Sequence, residues 1–344
     1  MVPQSTPIYF ELSQHDLAHL PPTFGPFESR LLSSLVGIFK TSLSIHPLKS
    51  SNEPLQISTS TISGKAMNKF INSAAKDHFN GDKFISLRLL GPSLQYITAE
   101  IPLTSMVAKE KKDIVPLILQ LCIWRTFAVG SQRHLRELKF TTNPQAMTTN
   151  EITEIVTSWI ANKKLYMSVY GNLMIDKDKV KKIVEKLWEL AEFLALGVML
   201  VDSVPSEIRR WAFSDVYEQI STLTIPFIPR GGILIWLLSS DFSEYQICDQ
   251  PTVDDLANHI AFAKTSGPLK ALKLVRELSG KSENEISNRD GLAKVRGVFE
   301  DPPLEMVGLR EIVDDCEAVQ GRKLNMVDLE HGLCKITRMI DMMK

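Results

Sequence analysis

Cysteine is scarce in this chain. Cys122, Cys248, Cys316 and Cys334 stand far apart, with no C-x-x-C pair among them. That excludes a disulfide framework and a zinc ribbon, and free thiols in a reducing compartment are the simpler reading. Long apolar runs are missing too. The most apolar stretches, Ile114–Phe127 and Phe193–Val201, fall short of the roughly 18–20 residues that a membrane span needs. Arg125 interrupts the first and Asp202 ends the second, so both read as core helices. The first twenty residues have no basic stretch followed by an apolar run, so no signal peptide is expected.

The signatures of catalysis are equally thin. Gly280–Lys281–Ser282 ends like a phosphate-binding loop, but Val275 stands where the loop needs its first glycine. Gly64–Lys65 fails in the same way, with Thr59 and Ala66 at the required positions. No G-x-S-x-G elbow and no H-E-x-x-H metal motif occur. His331 and Cys334 lie three apart, with Cys316 upstream, yet structural zinc needs four ligands in clearer pairs. The adjacent acids Asp254–Asp255 and Asp314–Asp315 point in different directions on a helix and form no acid–base couple. The chain is therefore read as a binding or assembly protein rather than an enzyme, and it calls for no cofactor and no metal.

What is present is helix. The apolar fraction is 44% and the charged fraction 23%, as in a globular protein. With 344 residues the chain exceeds the usual size of one core, so two lobes are expected. Val180, Ile183, Val184, Leu187, Leu190, Ala191 and Leu194 recur at three- and four-residue steps, which makes 178–200 the clearest helix. Thr148 with Glu151 has the spacing of a capping box opening the helix before it. Pro205–Ser206 opens a further helix through Ile220, and six more follow from Ile233 onward. The first hundred residues look mixed. Residues 55–61 alternate as a strand, 65–79 read as a helix, and Phe84–Leu90 with Leu94–Ile101, joined at Gly91–Pro92, read as a β-hairpin.

The fold class is thus mainly α, as two helical lobes with a small β-hairpin in the first. Five prolines before residue 28 mark residues 1–27 as an extended N-terminal arm. Residues 28–223 form the N-terminal lobe. Residues 224–232, with two prolines and two glycines, form the hinge, and residues 233–344 form the C-terminal helical lobe.

The formal net charge of −1 conceals segregation. Residues 105–140 and 161–186 each carry seven Lys or Arg against three acids, and residues 260–296 carry eight against four. Residues 300–330 reverse this, with nine acids against three bases. Cations along one track are what a phosphate backbone demands, while solvated helix faces are the plain alternative. Arg209–Arg210–Trp211, and Tyr166 with Tyr170, combine aromatics with nearby charge as base-stacking sites do; Trp211 as a core residue is the alternative. Arg230 beside Gly231–Gly232 suits a phosphate contact, or an ordinary turn.

The order of segments carries a resemblance. The apolar DIVPLILQLCIW, TTNEITEIV opening a helix, KDKVKKIVEKLWELAEFLA, then ILIWLLSSDFSE and DLANHIAFAKTSGPLKALKLVREL follow one another between Asp113 and Leu278. This succession resembles the nucleoprotein of bornaviruses and, more distantly, the nucleoproteins of other non-segmented negative-strand RNA viruses. It covers about half of the chain and is closest over 237–275.

The resemblance implies two helical lobes that clamp single-stranded RNA in a basic cleft without reading its sequence. It implies protomers joined through terminal arms into homo-oligomers, with the viral phosphoprotein and polymerase as further partners and no membrane. The location it implies is the host cytoplasm or nucleus and the virion. The clamp residues expected here are Lys163, Lys164, Lys177, Lys179, Lys181 and Lys182 in the first lobe, Arg209, Arg210 and Arg230 near the hinge, and Lys264, Lys270 and Lys273 in the second. The lysines of 177–182 and 264–273 lie in the resembling segments; the rest are assigned from local charge. Two rivals stand beside this reading. One is a cellular helical scaffold or adaptor that binds protein partners, and no RNA, through an apolar groove and the acidic C-terminal face. The other is an enzyme with an unrecognised site.

Overall fold

The computed structural model describes residues 12–45, 85–101, 111–127, 148–161, 177–199, 210–223, 232–263, 266–280 and 287–341. Over these residues the chain forms thirteen α-helices: α1 (Gln14–Ala18), α2 (Pro26–Ile45), α3 (Pro92–Glu100), α4 (Lys111–Phe127), α5 (Thr149–Ala161), α6 (Val180–Met199), α7 (Phe213–Thr222), α8 (Ile233–Glu244), α9 (Val253–Phe262), α10 (Gly267–Leu278), α11 (Asn288–Glu300), α12 (Val307–Gln320) and α13 (Met326–Asp341). Short 3-10 turns occupy Arg88–Leu90 and Lys177–Lys179. Packing divides the chain into two units, one of Met1–Gly91 with Leu256–Lys344 and one of Pro92–Asp255. The stretch expected as a hinge, 224–232, lies outside the described residues except for Gly232, which precedes α8; α8 packs against α4 and α7.

The unit Pro92–Asp255 is built around α4. Every side chain from Ile114 to Phe127 is buried, as befits a helix that is apolar nearly all round. α6 lies against it through Val180, Ile183, Val184, Leu187, Leu190, Ala191 and Leu194, all fully buried. α5 covers α6 with Ile152, Val156 and Trp159. The Thr148 capping box opens α5 as its spacing demands. Thr148 N–H donates to Glu151 Oε2 at 2.6 Å, and Glu151 N–H donates to Thr148 Oγ1 at 3.3 Å.

α8 also packs on α4, and two buried charges meet there. Arg125 Nε donates to Asp241 Oδ2 at 2.6 Å and Nη2 to Oδ1 at 2.8 Å, with both side chains essentially unexposed. The guanidinium also lies 4.7 Å from the Trp124 ring centroid. Tyr245, at the end of α8, donates its hydroxyl to the Ile101 carbonyl at 2.6 Å and so ties α8 to the end of α3.

The other unit is assembled on α2, which packs against α10, α11, α12 and α13. Phe27, Leu31, Leu32, Leu35 and Phe39 supply its buried face. α13 can approach closely because Gly332 faces α2; a Cβ there would lie 2.7 Å from Leu35 Cδ2. Lys294 of α11 donates to the buried Glu28 at 2.8 Å. Asp328 of α13 accepts Arg322 Nη1 at 2.6 Å and the Arg88 backbone N–H at 2.8 Å, which anchors the turn at Arg88–Leu90.

Three expectations are corrected. The hairpin over Phe84–Leu90 and Leu94–Ile101 does not form, and among the described residues no strand does. Residues 88–90 are a 3-10 turn, and Pro92–Glu100 is an α-helix with Pro92 at its start, where a missing N–H costs nothing. Leu94, Ile97 and Ile101 are its buried residues, at helical steps of three and four.

Next, the stretch expected as an arm is folded from Leu12 onward. Ser13 caps α1, the buried Asp16 accepts the Gly308 N–H at 3.3 Å, and Phe27 is fully buried. Finally, the helix expected to open at Pro205 starts at Phe213. Trp211 instead bridges Cys248 in extended backbone, with Asp249 N–H donating to its carbonyl at 2.8 Å. The strand expected at 55–61 and the helix at 65–79 lie outside the described residues.

Breaking the buried ion pair leaves an uncompensated buried charge. Asp241→Ala is expected to lower unfolding free energy by about 3–5 kcal/mol in urea titrations, whereas the double replacement Arg125→Met with Asp241→Leu recovers most of that loss. A single variant as stable as the parent would show that water reaches the pair.

Candidate nucleic-acid surface

Most of the buried charge is spent inside the fold. Arg125 with Asp241, Lys294 with Glu28 and Arg322 with Asp328 are mutual partners. The densest cluster of titratable groups sits on α13. Glu330 is buried, and one of its oxygens lies 3.0 Å from His331 Nδ1, which is also 3.0 Å from the Val327 carbonyl. Cys334 Sγ donates to the other Glu330 oxygen at 3.3 Å.

Burial opposes the charge on Glu330. The hydrogen bond and charge of His331, with smaller help from His259 and Cys334, outweigh burial and hold the carboxyl below its ordinary range. Burial pushes the Cys334 thiol well up, and the neighbouring Glu330 carboxylate adds to this. Its hydrogen goes to a carboxylate rather than to an imidazole, so this is a protonated structural thiol and not an activated nucleophile. Burial, with nearby Asp241 and Asp249 respectively, likewise raises Cys122 and Cys248. Among the described residues no group of three or more His, Cys, Asp or Glu is placed to hold a metal ion. No described helix is long and apolar enough to cross a membrane.

Acids outnumber bases among the exposed described residues, but lysines gather at the start of α6. The apolar stripe of α6 turns Lys181 and Lys182 to solvent, and Lys179 is exposed in the 3-10 turn just before it. Lys177 opens that turn. A helix N-terminus favours acids by ~0.3–1 kcal/mol each and disfavours cations by a similar amount. Here three lysines at 179–182 face the single acid Asp178, and the reach of Lys181 to Glu185, at 4.0 Å between two well-exposed side chains, is weak support.

Arg210 does not join this cluster. Its Nη2 donates to Gln246 at 3.0 Å, and its neighbour Trp211 packs at Leu194 and Gly197, roughly 20 Å along α6 from Lys182 at 1.5 Å per residue. Lys270 and Lys273 are exposed together on α10, in the unit that contains α2. Lys163, Lys164, Arg209, Arg230 and Lys264 lie outside the described residues, as do Tyr166 and Tyr170.

Trp211 is committed to its own fold. It stacks on Phe193 at 4.6 Å and donates Nε1–H to the Leu194 carbonyl at 3.2 Å. It also lies so close over Gly197 that no Cβ fits there. Trp211 is half-buried rather than a core residue, and its ring is engaged with Phe193, Leu194 and Gly197.

Two surface features escaped the sequence. Phe262 ends α9 with 72% of its surface exposed. Leu304 and Val307, 74% and 54% exposed, stand among Glu300, Asp301, Glu305, Glu311 and Asp314, all exposed. Register along α9 and α12 is the signal that would have found them, since each of Phe262 and Val307 lies off its helix's buried stripe. Comparison with protein-family models, curated proteins and solved structures finds no match, so the family resemblance rests on the residues that carry it.

Two outcomes follow from the buried groups. Cys122, Cys248 and Cys316 are buried, and the Cys334 thiol is held protonated. Iodoacetamide at neutral pH is expected to leave all four unmodified in the native protein over minutes and to modify all four in urea, as read by mass spectrometry. Rapid native labelling of Cys334 would refute its protonated state.

The second outcome concerns acid. Burial holds His259 below its ordinary value near 6.5, with only partial opposition from Glu330. The unfolded chain then takes up a proton that the native one refuses, so stability falls as pH drops below about 6.5. Glu330 acts lower. Its contribution is intact above the ordinary carboxyl range near 4.5 and is lost as pH falls through its depressed native value. The urea midpoint is therefore expected to fall between pH 7.5 and 5.5, and to fall less in His259→Leu. An equal drop in that variant would exclude His259 as the cause.

Proposed function

We propose that this chain is an RNA-binding nucleoprotein that associates with copies of itself and sheathes single-stranded RNA without sequence specificity. In the family it resembles, that RNA is a viral genome, held inside the host cell and in the virion. The observation that carries the reading is the exposure of Lys179, Lys181 and Lys182 at the opening of α6, where a helix is better served by acids. A polyanion turns that cost into a gain, because each phosphate neutralised releases a condensed counterion. In this reading Lys270 and Lys273, in the other unit, also contact RNA phosphates. Contacts of this kind carry no base identity, which a genome sheath requires.

A second reading is favoured by one observation. The exposed Leu304 and Val307 within an acidic edge suit an adaptor that binds basic protein segments and no RNA. The ratio of nucleic-acid to protein absorbance of the purified protein, taken with its mass by light scattering before and after a high-salt wash, separates the two. A high ratio on a large assembly that collapses in salt supports the nucleoprotein. A clean protein spectrum on a small oligomer that also ignores added RNA supports the adaptor.

The lysines have their own test. Lys181→Glu with Lys182→Glu is expected to weaken binding to unrelated single strands by one common factor. The steepness of the logarithmic salt dependence should fall by about 1.4, from ~0.7 for each of two phosphates. Fluorescence anisotropy across a salt series reads both, with circular dichroism unchanged. Unaltered affinity would remove these lysines from the surface that holds RNA.

A further inference from the structure

The aromatic side chain best placed for an unpaired base is one that sequence reading did not single out. α9 buries Leu256, His259 and Ile260, and its stripe continues toward Ala263. Phe262 lies about 110° from the centre of that stripe, on the flank of the helix beside His259 and at the last residue of α9. Its ring is 72% exposed. Among the described residues no other ring contacts it, whereas Trp211 stacks on Phe193 and Phe213 packs edge-on against Trp236.

The surroundings narrow what would cover this ring. The exposed neighbours on its side of α9 are Asn258, one turn earlier, and Ala261. A polar amide and a methyl group on the same helix add little apolar area to the ring. Asp255 is engaged in the helix cap, accepting from Thr252 N–H and Oγ1, both at 2.7 Å. Beyond Phe262 a tight link, closed by Ser266 N–H donating to the Ala263 carbonyl at 2.8 Å, leads into α10. There Lys270 and Lys273 are exposed one turn apart. A flat face, an amide one turn away and cations on the next helix match a nucleotide of a single strand: base on the ring, base edge at the amide, phosphates toward the lysines.

We infer that Phe262 is a base-stacking residue, with Asn258 beside it, that makes this unit bind single-stranded in preference to double-stranded RNA. The inference rests on the RNA-binding reading and adds to it a contact that duplex RNA, with its bases already stacked, does not make.

The test uses the full-length protein with a fluorescein-labelled 20-nucleotide poly(A) strand, and a duplex of the same length, in anisotropy titrations. Phe262→Ala is expected to lose about 5- to 100-fold in affinity for the single strand, the loss that stacking of one base sets. Duplex binding and the salt dependence should stay as in the parent. Phe262→Trp should restore the affinity, and its fluorescence should be quenched on binding. Equal single-strand affinity in the parent and in Phe262→Ala overturns the inference while leaving the lysine surface standing. So does a loss that is the same for single strand and duplex. A parent protein that binds neither RNA overturns the RNA-binding reading, and this inference with it.

Discussion

The pairing of Arg125 with Asp241 is the constraint on which the second unit turns. Two buried charges must face each other at bonding distance, and that condition fixes both the rotation and the axial position of α8 against α4. The rest follows from α4. α6 packs on it, α5 packs on α6, and α7 packs on both α6 and α8. The lysines at 179–182 project from the start of α6, so their placement is inherited from the packing of α6 on α4. Replacing the pair with apolar residues would keep the volume and give up the directional condition, which apolar contact alone does not supply.

The sequence made helices legible wherever their apolar period was long. The stripe from Val180 to Leu194 returned α6 to within two residues at each end, and the Thr148–Glu151 spacing returned its hydrogen bonds. Legibility failed where the pattern was short. Eight residues of LQYITAEI satisfy period two in part and steps of three and four equally well. What decided between them was Pro92 at the helix start and the burial of Leu94, Ile97 and Ile101, and burial is a property of the folded chain.

Pairings over long distances were out of reach. Arg125 and Asp241 are 116 residues apart, and Arg125 alone looked like a charge that merely interrupted an apolar run. The candidate surface was legible as charge and illegible as shape. Segregation of lysine into 161–186 and 260–296 could be counted, but which of those lysines a helix turns outward depends on its packed face. Aromatics misled for the same reason. Trp211 beside two arginines has the composition of a stacking site and is held by Phe193, Leu194 and Gly197. Phe262 has no telling neighbour in sequence and lies off the buried stripe of α9.

The discontinuity of the unit built on α2 has a consequence for synthesis. Glu28 and its partner Lys294 are 266 residues apart, and α10 to α13 all follow the whole of the other unit. At translation rates of about 5–20 residues per second, α2 emerges from the ribosome roughly 13 to 50 seconds before the helices that cover it. For that interval Phe27, Leu31, Leu32, Leu35 and Phe39 form an uncovered amphipathic face on a growing chain, while Pro92–Asp255 already has its full set of packing partners. The order in which the two units can complete their cores is written into the connectivity of the chain.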